Sequence, residues 1–155
     1  DFAELKFTLP EGWTRSTDEE IAAMMQLGAT MLEDEGKYNA EIAKLTSVYD
    51  MLAKSADQTS NIQVMMEKVP LSADEYAETL KKNLASLEQL SYNIGETTET
   101  TIGGNTYKAV NATVDISGMK MEQSYYVRKE GDYIIGIIVT ASGDVTANSI
   151  MSNFQ

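Results

Sequence analysis

Apolar positions along the chain switch between two periods, and the switches mark out the expected elements. Period two opens the chain: Leu5, Phe7 and Leu9 fall on one side, Glu4, Lys6 and Thr8 on the other. That alternation predicts a half-buried strand over Phe2–Leu9, stopped by Pro10 and followed by Glu11-Gly12-Trp13. The period then lengthens. Ile21, Met24, Met25, Gly28, Met31 and Leu32 recur every three or four residues behind Ser16-Thr17-Asp18-Glu19-Glu20. Either Ser16 with Glu19 or Thr17 with Glu20 can close a capping box there, so an acidic helix is expected, ending near Gly36. Its methionines read as a core face, because the flexible thioether fills irregular gaps. A second short helix is expected over Tyr38–Lys44.

From Leu45 to Ala53 the pattern turns β-like around Val48, Tyr49, Met51 and Leu52. Ile62, Val64 and Met66 then alternate with Gln63, Met65 and Glu67, which predicts a hairpin across the polar turn Asp57–Asn61. Pro70 closes that strand. Ser72 with Glu75 forms the clearest capping box in the chain, and the helix behind it carries Tyr76, Leu80, Leu84, Leu87 and Leu90 along one side. Glu78 precedes Lys82 by four residues, the favoured order for an ion pair on a helix.

The last third reads as a meander, with strands at about Tyr92–Ile102, Tyr107–Ile116, Met119–Arg128 and Tyr133–Thr140. Asp144 is expected to cap a closing helix through Ile150, Met151 and Phe154. If Ser117-Gly118 is a two-residue turn, Ile116 faces Met119, Val114 faces Met121, Ala112 faces Gln123 and Val110 faces Tyr125. The other face collects Asp115 with Lys120, Thr113 with Glu122, Asn111 with Ser124 and Tyr107 with Arg128. A one-residue slip would mix the two sets, so burial favours this register. Closing the next turn around Glu130-Gly131 sets Val127 against Ile134 and Tyr125 against Gly136. The strand from Tyr133 is apolar on both sides, which predicts a central strand covered by helices on each face. The Ser72 helix and the acidic helix from Thr17 are the natural covers.

The expected architecture is therefore α+β: one domain over residues 1–155, an antiparallel sheet with a C-terminal meander, and helices on both faces. At 155 residues the chain has the length of one ordinary domain. It has no run approaching the roughly 20 apolar residues that a spanning helix needs. It opens at Asp1 rather than Met, without a basic or apolar leader, as expected either of a processed protein or of a trimmed piece, any targeting segment or lipid anchor lying outside the sequence.

Charge and two absences narrow the chemistry. Twelve Lys and Arg stand against 24 Asp and Glu, a net charge of −12 that repels nucleic acid and anionic lipid. With no Cys, the chain has no disulfide, thiolate nucleophile or thiolate metal site. With no His, it lacks the usual general base and the commonest transition-metal ligand. Carboxylate, Lys, Tyr and Ser chemistry remain. No catalytic centre, cofactor site or metal site can be read from the residues. Glu33-Asp34-Glu35 and Asp18-Glu19-Glu20 lack the alternating spacing and Gly of a calcium loop, and Gly103-Gly104 is a turn rather than a phosphate loop.

Phe7-Thr8-Leu9-Pro10-Glu11-Gly12-Trp13 resembles the strand-Pro-x-Gly-Trp opening of PsbP-like domains. The Ser72 helix, the Ile102-Gly103-Gly104 turn, the meander through Arg128 and Tyr133, and the closing helix to Phe154 follow in that family's order. The chain departs from it over Thr17–Lys44, where the helical segment is longer. The resemblance implies an antiparallel sheet between helices. It also implies a binding or assembly role, since relatives include small secreted bacterial proteins and lipoproteins, a photosystem II extrinsic protein and a Ran-binding transport factor. They share no universal active site, so no functional residue is carried over.

The expected function is a noncatalytic, extracytoplasmic protein-interaction domain with a protein partner. The alternatives are a small-ligand carrier with a pocket between the sheet and the Ser72 helix, and a carboxylate-dependent hydrolase. Trp13, behind its Pro-Glu-Gly turn, is a candidate partner anchor or a lid on the core. Tyr107, Tyr126 and Arg128 are candidates to line a shallow groove on the polar face of the meander.

Overall fold

The computed structural model describes residues 5–23, 47–87 and 90–155. Eight strands form one sheet in the order β1-β2-β3-β8-β7-β6-β4, with β5 also paired to β6. The strands are β1 Thr14–Arg15, β2 Ser47–Lys54, β3 Asn61–Lys68, β4 Asn93–Ile94, β5 Thr98–Ile102, β6 Asn105–Ile116, β7 Met119–Glu130 and β8 Tyr133–Ser142. Helices α1, Ala73–Ser86, and α2, Ala147–Met151, complete the set of labelled elements. Residues 18–23 are helical as well. Thr17 caps them, its amide donating to Glu20 Oε2 at 2.9 Å and its hydroxyl accepting from the Glu20 amide at 3.2 Å. The rest of the expected acidic helix, the Tyr38–Lys44 helix and Glu33-Asp34-Glu35 lie outside the described residues.

β8 lies at the middle of the sheet, antiparallel to β3 on one side and β7 on the other. Its side chains alternate between two cores. Ile135, Ile137 and Val139 join Ile62, Val64, Tyr107 and Tyr126 on one face, covered by Ala147 and Ile150 of α2. Ile134 joins Val110 and Val127 on the other, covered by Ala77 with Tyr76 and Leu80 of α1. Ser72 caps α1 with the reciprocal Glu75 bond, and the helix buries Ala77 and Leu84 while Leu87, its C-cap, is exposed. The buried side therefore runs through Tyr76, Ala77, Leu80 and Leu84 rather than on to Leu87.

The β6–β7 register follows the predicted pairs from Ile116↔Met119 to Val110↔Tyr125. The next turn differs. Glu130 pairs with Tyr133 and Val127 with Gly136, a register two residues away from the expected one. Gly131, at φ +56°, takes the first central position of that turn, with Asp132 after it. A two-residue shift preserves which face each side chain occupies, so hydrophobic pattern alone cannot distinguish the two registers. Tyr125 consequently lies opposite Ile138, and the space above Gly136 is taken by Met65, whose Cγ would lie 3.2 Å from an added Cβ.

Four further expectations are corrected. Among the described residues of the opening segment, 5–9, there is a single bridge, Phe7↔Phe154, rather than a longer strand. Its partner is the short tail after α2, with the Thr8 amide donating to the Asn153 carbonyl at 3.0 Å and the two rings 4.8 Å apart. The expected Tyr92–Ile102 strand is broken into β4 and β5, because one extra residue is accommodated between Ile94↔Ala112 and Thr98↔Ala109. The cap of α2 is Thr146 rather than Asp144, with its hydroxyl accepting from the Ser149 amide. Finally, Glu78 pairs with Lys81 one turn on, at 3.4 Å, in place of the expected Lys82.

Candidate interaction surface

The meander brings two of the four candidate residues together. β6 and β7 set Tyr107 beside Arg128, and Arg128 Nε donates to Tyr107 Oη at 3.0 Å. The guanidinium carbon also lies 5.6 Å from the Tyr107 ring centroid, within cation–π range. Arg128 Nη1 forms an ion pair with Glu130 Oε2. Burial pushes the Tyr107 hydroxyl up, against the opposing pull of Arg128. Burial works against the Arg128 charge, yet Tyr107 and Glu130 outweigh it and hold the guanidinium above its ordinary range.

These residues lie largely inside the core rather than along one groove on a polar face, and reach the surface only at the rims of two depressions. Tyr107 is fully buried, and Tyr126 and Arg128 are each only 7% exposed. The face they share is the larger core, because the opposing Ile135 and Ile137 and helix α2 turn it inward. Tyr126, one residue pair along, sits toward α2, and burial raises its hydroxyl too. Trp13 is half-buried and packs against the edge of the same core, in the position of a lid.

Two shallow depressions lie among the described residues. One, of about 260 Å³, lies where α1 begins, between Ala73, Tyr107, Lys108 and Arg128. The other, of about 170 Å³, lies between the end of β5 and the closing helix, lined by Thr100, Ile102, Tyr126, Met151 and Phe154. Both fall below the roughly 300–1,000 Å³ of ordinary small-molecule pockets. Among the described residues no Asp or Glu is buried, and no cluster of three or more potential metal ligands occurs. Nor is any described helix long and apolar enough to cross a membrane.

Charge is distributed unevenly around the β4–β5 margin. Lys108 holds Asp74 of α1 and Glu99 of β5 at 2.8 Å each, and this raises its ammonium above the ordinary lysine range. Lys81 holds Glu78 at 3.4 Å and Glu96 at 3.7 Å. The lysines are 24% and 22% exposed, whereas Glu99 and Glu96 are 63% and 96% exposed. Solvent therefore meets carboxylates with cations beneath them. Hydrophobic periodicity does not reveal this rim. Its signal in the sequence is the repeated Glu-Thr-Thr of residues 96–101, which a strand places at a sheet margin. Elsewhere, Ile116 and Met119 are exposed at the tip of the β6–β7 hairpin.

With this geometry in hand, solved structures give the fold. The solution structure of cyanobacterial PsbP (CyanoP) from Synechocystis sp. PCC 6803 matches the whole chain over 88% of its own length, with a TM-score of 0.58 at 13% identity. The fold is PsbP-like. A crystal structure from Bacteroides thetaiotaomicron VPI-5482 matches 99% of the chain with a TM-score of 0.52 at 13% identity, the chain spanning 45% of that larger protein. LpqN of Mycobacterium tuberculosis, described as involved in cell envelope biogenesis, covers 96% of the chain and 75% of its own length with a TM-score of 0.46 at 10% identity. No protein-family model matches the sequence, and no curated protein matches it.

Proposed function

We propose that the chain is a noncatalytic domain that works outside the cytoplasm by binding another protein. The observation that carries this reading is the packing of the described residues on both faces of the sheet. Ala77, Val110, Val127 and Ile134 fill the space beneath α1, where a small-ligand carrier would need its cavity. The other face is filled by Ile62, Val64, Tyr107, Ile137 and Ile150. What a partner can reach is surface, which is acidic overall and, among the described residues, carries shallow depressions. Among the described residues no Asp or Glu is buried, so none of them supplies the desolvated pair that acid–base hydrolysis uses. An extracytoplasmic setting is supported by the PsbP-like fold, whose relatives include secreted proteins and lipoproteins.

The test is cross-linking in intact cells followed by reciprocal capture. The reading expects one polypeptide to be recovered with this chain and to recover it in turn. Exclusive recovery of the uncross-linked chain, or its location in the cytoplasm, would overturn it.

A further inference from the structure

We propose that the β5 edge is a docking strand for an extended, basic segment of a partner protein, added to the sheet as one further strand. The inference rests on the protein-interaction reading and names the surface and the chemistry it would use. Among the described residues β5 is a margin of the sheet, pairing with β6 alone. Its turn onto β6 is the two-residue Gly103-Gly104, both at positive φ, closing on the Ile102↔Asn105 pair. In an antiparallel ladder closed this way, hydrogen-bonded pairs fall at Ile102, Thr100 and Thr98. The amides and carbonyls of Glu99 and Thr101 therefore point away from β6, and both residues are exposed.

Natural edges are usually blunted by Pro, inward charge or Lys. β5, Thr-Glu-Thr-Thr-Ile, has no Pro and no Lys, and it is rich in residues that favour extended backbone. Its single charge selects the partner. Glu99 lies on the α1 side of the sheet, flanked by Glu96 and by the outward carboxylates of Asp74 and Glu78. A second copy of this chain would set Glu99 near like charge and would bring together two molecules of net charge −12. A lysine or arginine opposite Glu99 is favoured instead.

The other side of the same edge supplies shape. Thr98, Thr100 and Ile102 face the α2 side, where the 170 Å³ depression opens beside Tyr126, Met151 and Phe154. That volume suits one aliphatic side chain and falls short of a separate small molecule. An added strand sends alternate side chains to opposite faces. The matching segment therefore alternates basic residues, toward the acidic rim, with apolar ones, toward the depression.

The probe is an eight-residue peptide alternating lysine with valine, titrated into the isotopically labelled chain and followed by amide shifts and exchange. Its controls are a scrambled peptide of the same composition and one with glutamate in place of lysine. The alternating peptide should protect the Glu99 and Thr101 amides, and both controls should bind at least about tenfold more weakly. Thr101→Pro removes an outward N–H at an edge position that tolerates proline, and it should weaken binding by a similar factor. Glu99→Lys reverses the rim without touching the backbone and should do the same. Binding centred on the Ile116–Met119 tip, equal binding by Thr101→Pro, or no binding up to about 1 mM would each overturn the edge assignment. A cross-linked partner that Thr101→Pro still captures would remove the edge and leave the protein-interaction reading standing.

Discussion

Arg128 Nε donates to the Tyr107 hydroxyl at 3.0 Å beneath the sheet–α2 core, so a guanidinium that would ordinarily sit in water is fixed between a phenol and Glu130. Removing the Tyr107 hydroxyl strands a buried charged donor, while removing it together with the arginine does not. Tyr107→Phe should therefore destabilise the chain by about 1–3 kcal/mol. In the Arg128→Met background the same change should cost markedly less. Urea unfolding of the two single variants and the double variant checks this; equal costs in both backgrounds would contradict the coupling.

Gly136 has no room above it. An added methyl meets Met65 Cγ at 3.2 Å in the packed β3–β8 ladder. Gly136→Ala should lower stability by about 1 kcal/mol, and Gly136→Val by more, because Met65 must leave its rotamer. Met65→Ala in the same chain should relieve most of the clash. Thermal unfolding that shows purely additive losses would argue that Met65 is not the obstacle.

The start of α1 should report on acid. Ser72 donates its amide and hydroxyl to the Glu75 carboxylate, at 2.8 Å each, and these bonds hold Glu75 below its ordinary value of 4.5. A carboxyl lowered in the folded state adds stability above its unfolded value, and that contribution is lost as pH falls through the folded one. Ser72→Ala should cost about 1 kcal/mol near neutral pH, and the gap to wild type should narrow in acid. A gap that stays constant down to the acid transition would contradict the reciprocal cap.

Alkali acts through the tyrosines. Burial raises Tyr107 and Tyr126 above 10.0 and pushes Tyr125 up to about 12, and Lys108 moves in the same direction through Asp74 and Glu99. Groups raised in the folded state keep protons that the unfolded chain releases. Stability is therefore fully present below about pH 10 and falls as pH climbs through the folded values. Tyrosinate absorbance of these residues should appear together with loss of near-ultraviolet circular dichroism. Full tyrosinate absorbance in a chain that is still folded would contradict their burial.

Much of this architecture could be read from residue order. The β6–β7 register was legible because a Ser-Gly turn and an uninterrupted alternation fix each other, and a slip of one would have exposed Val110, Ala112 and Val114. The central place of β8 was legible because Ile134 and Ile135 are both apolar, which only a doubly covered strand tolerates. The β7–β8 register was not legible, since the rival pairing preserved both faces and only the backbone angle at Gly131 decides between them. The candidate surface was the least legible part. Tyr107, Tyr126 and Arg128 were drawn to a polar face by Asn111, Thr113 and Asp115 further along β6, yet the sheet's other half buries their end of that face. The Lys81–Glu96 and Lys108–Asp74 bridges join residues 15 and 34 positions apart, contacts that no local pattern encodes.

The central proposal is that the described residues fill both faces of the sheet and that this chain acts through its surface on another polypeptide. Native mass spectrometry of the chain, released under mild conditions from the cells that make it, tests this most directly. The account predicts the bare polypeptide mass together with a complex whose extra mass is a second protein. A chain carrying a small molecule of a few hundred daltons, lost on unfolding and with no protein attached, would contradict it.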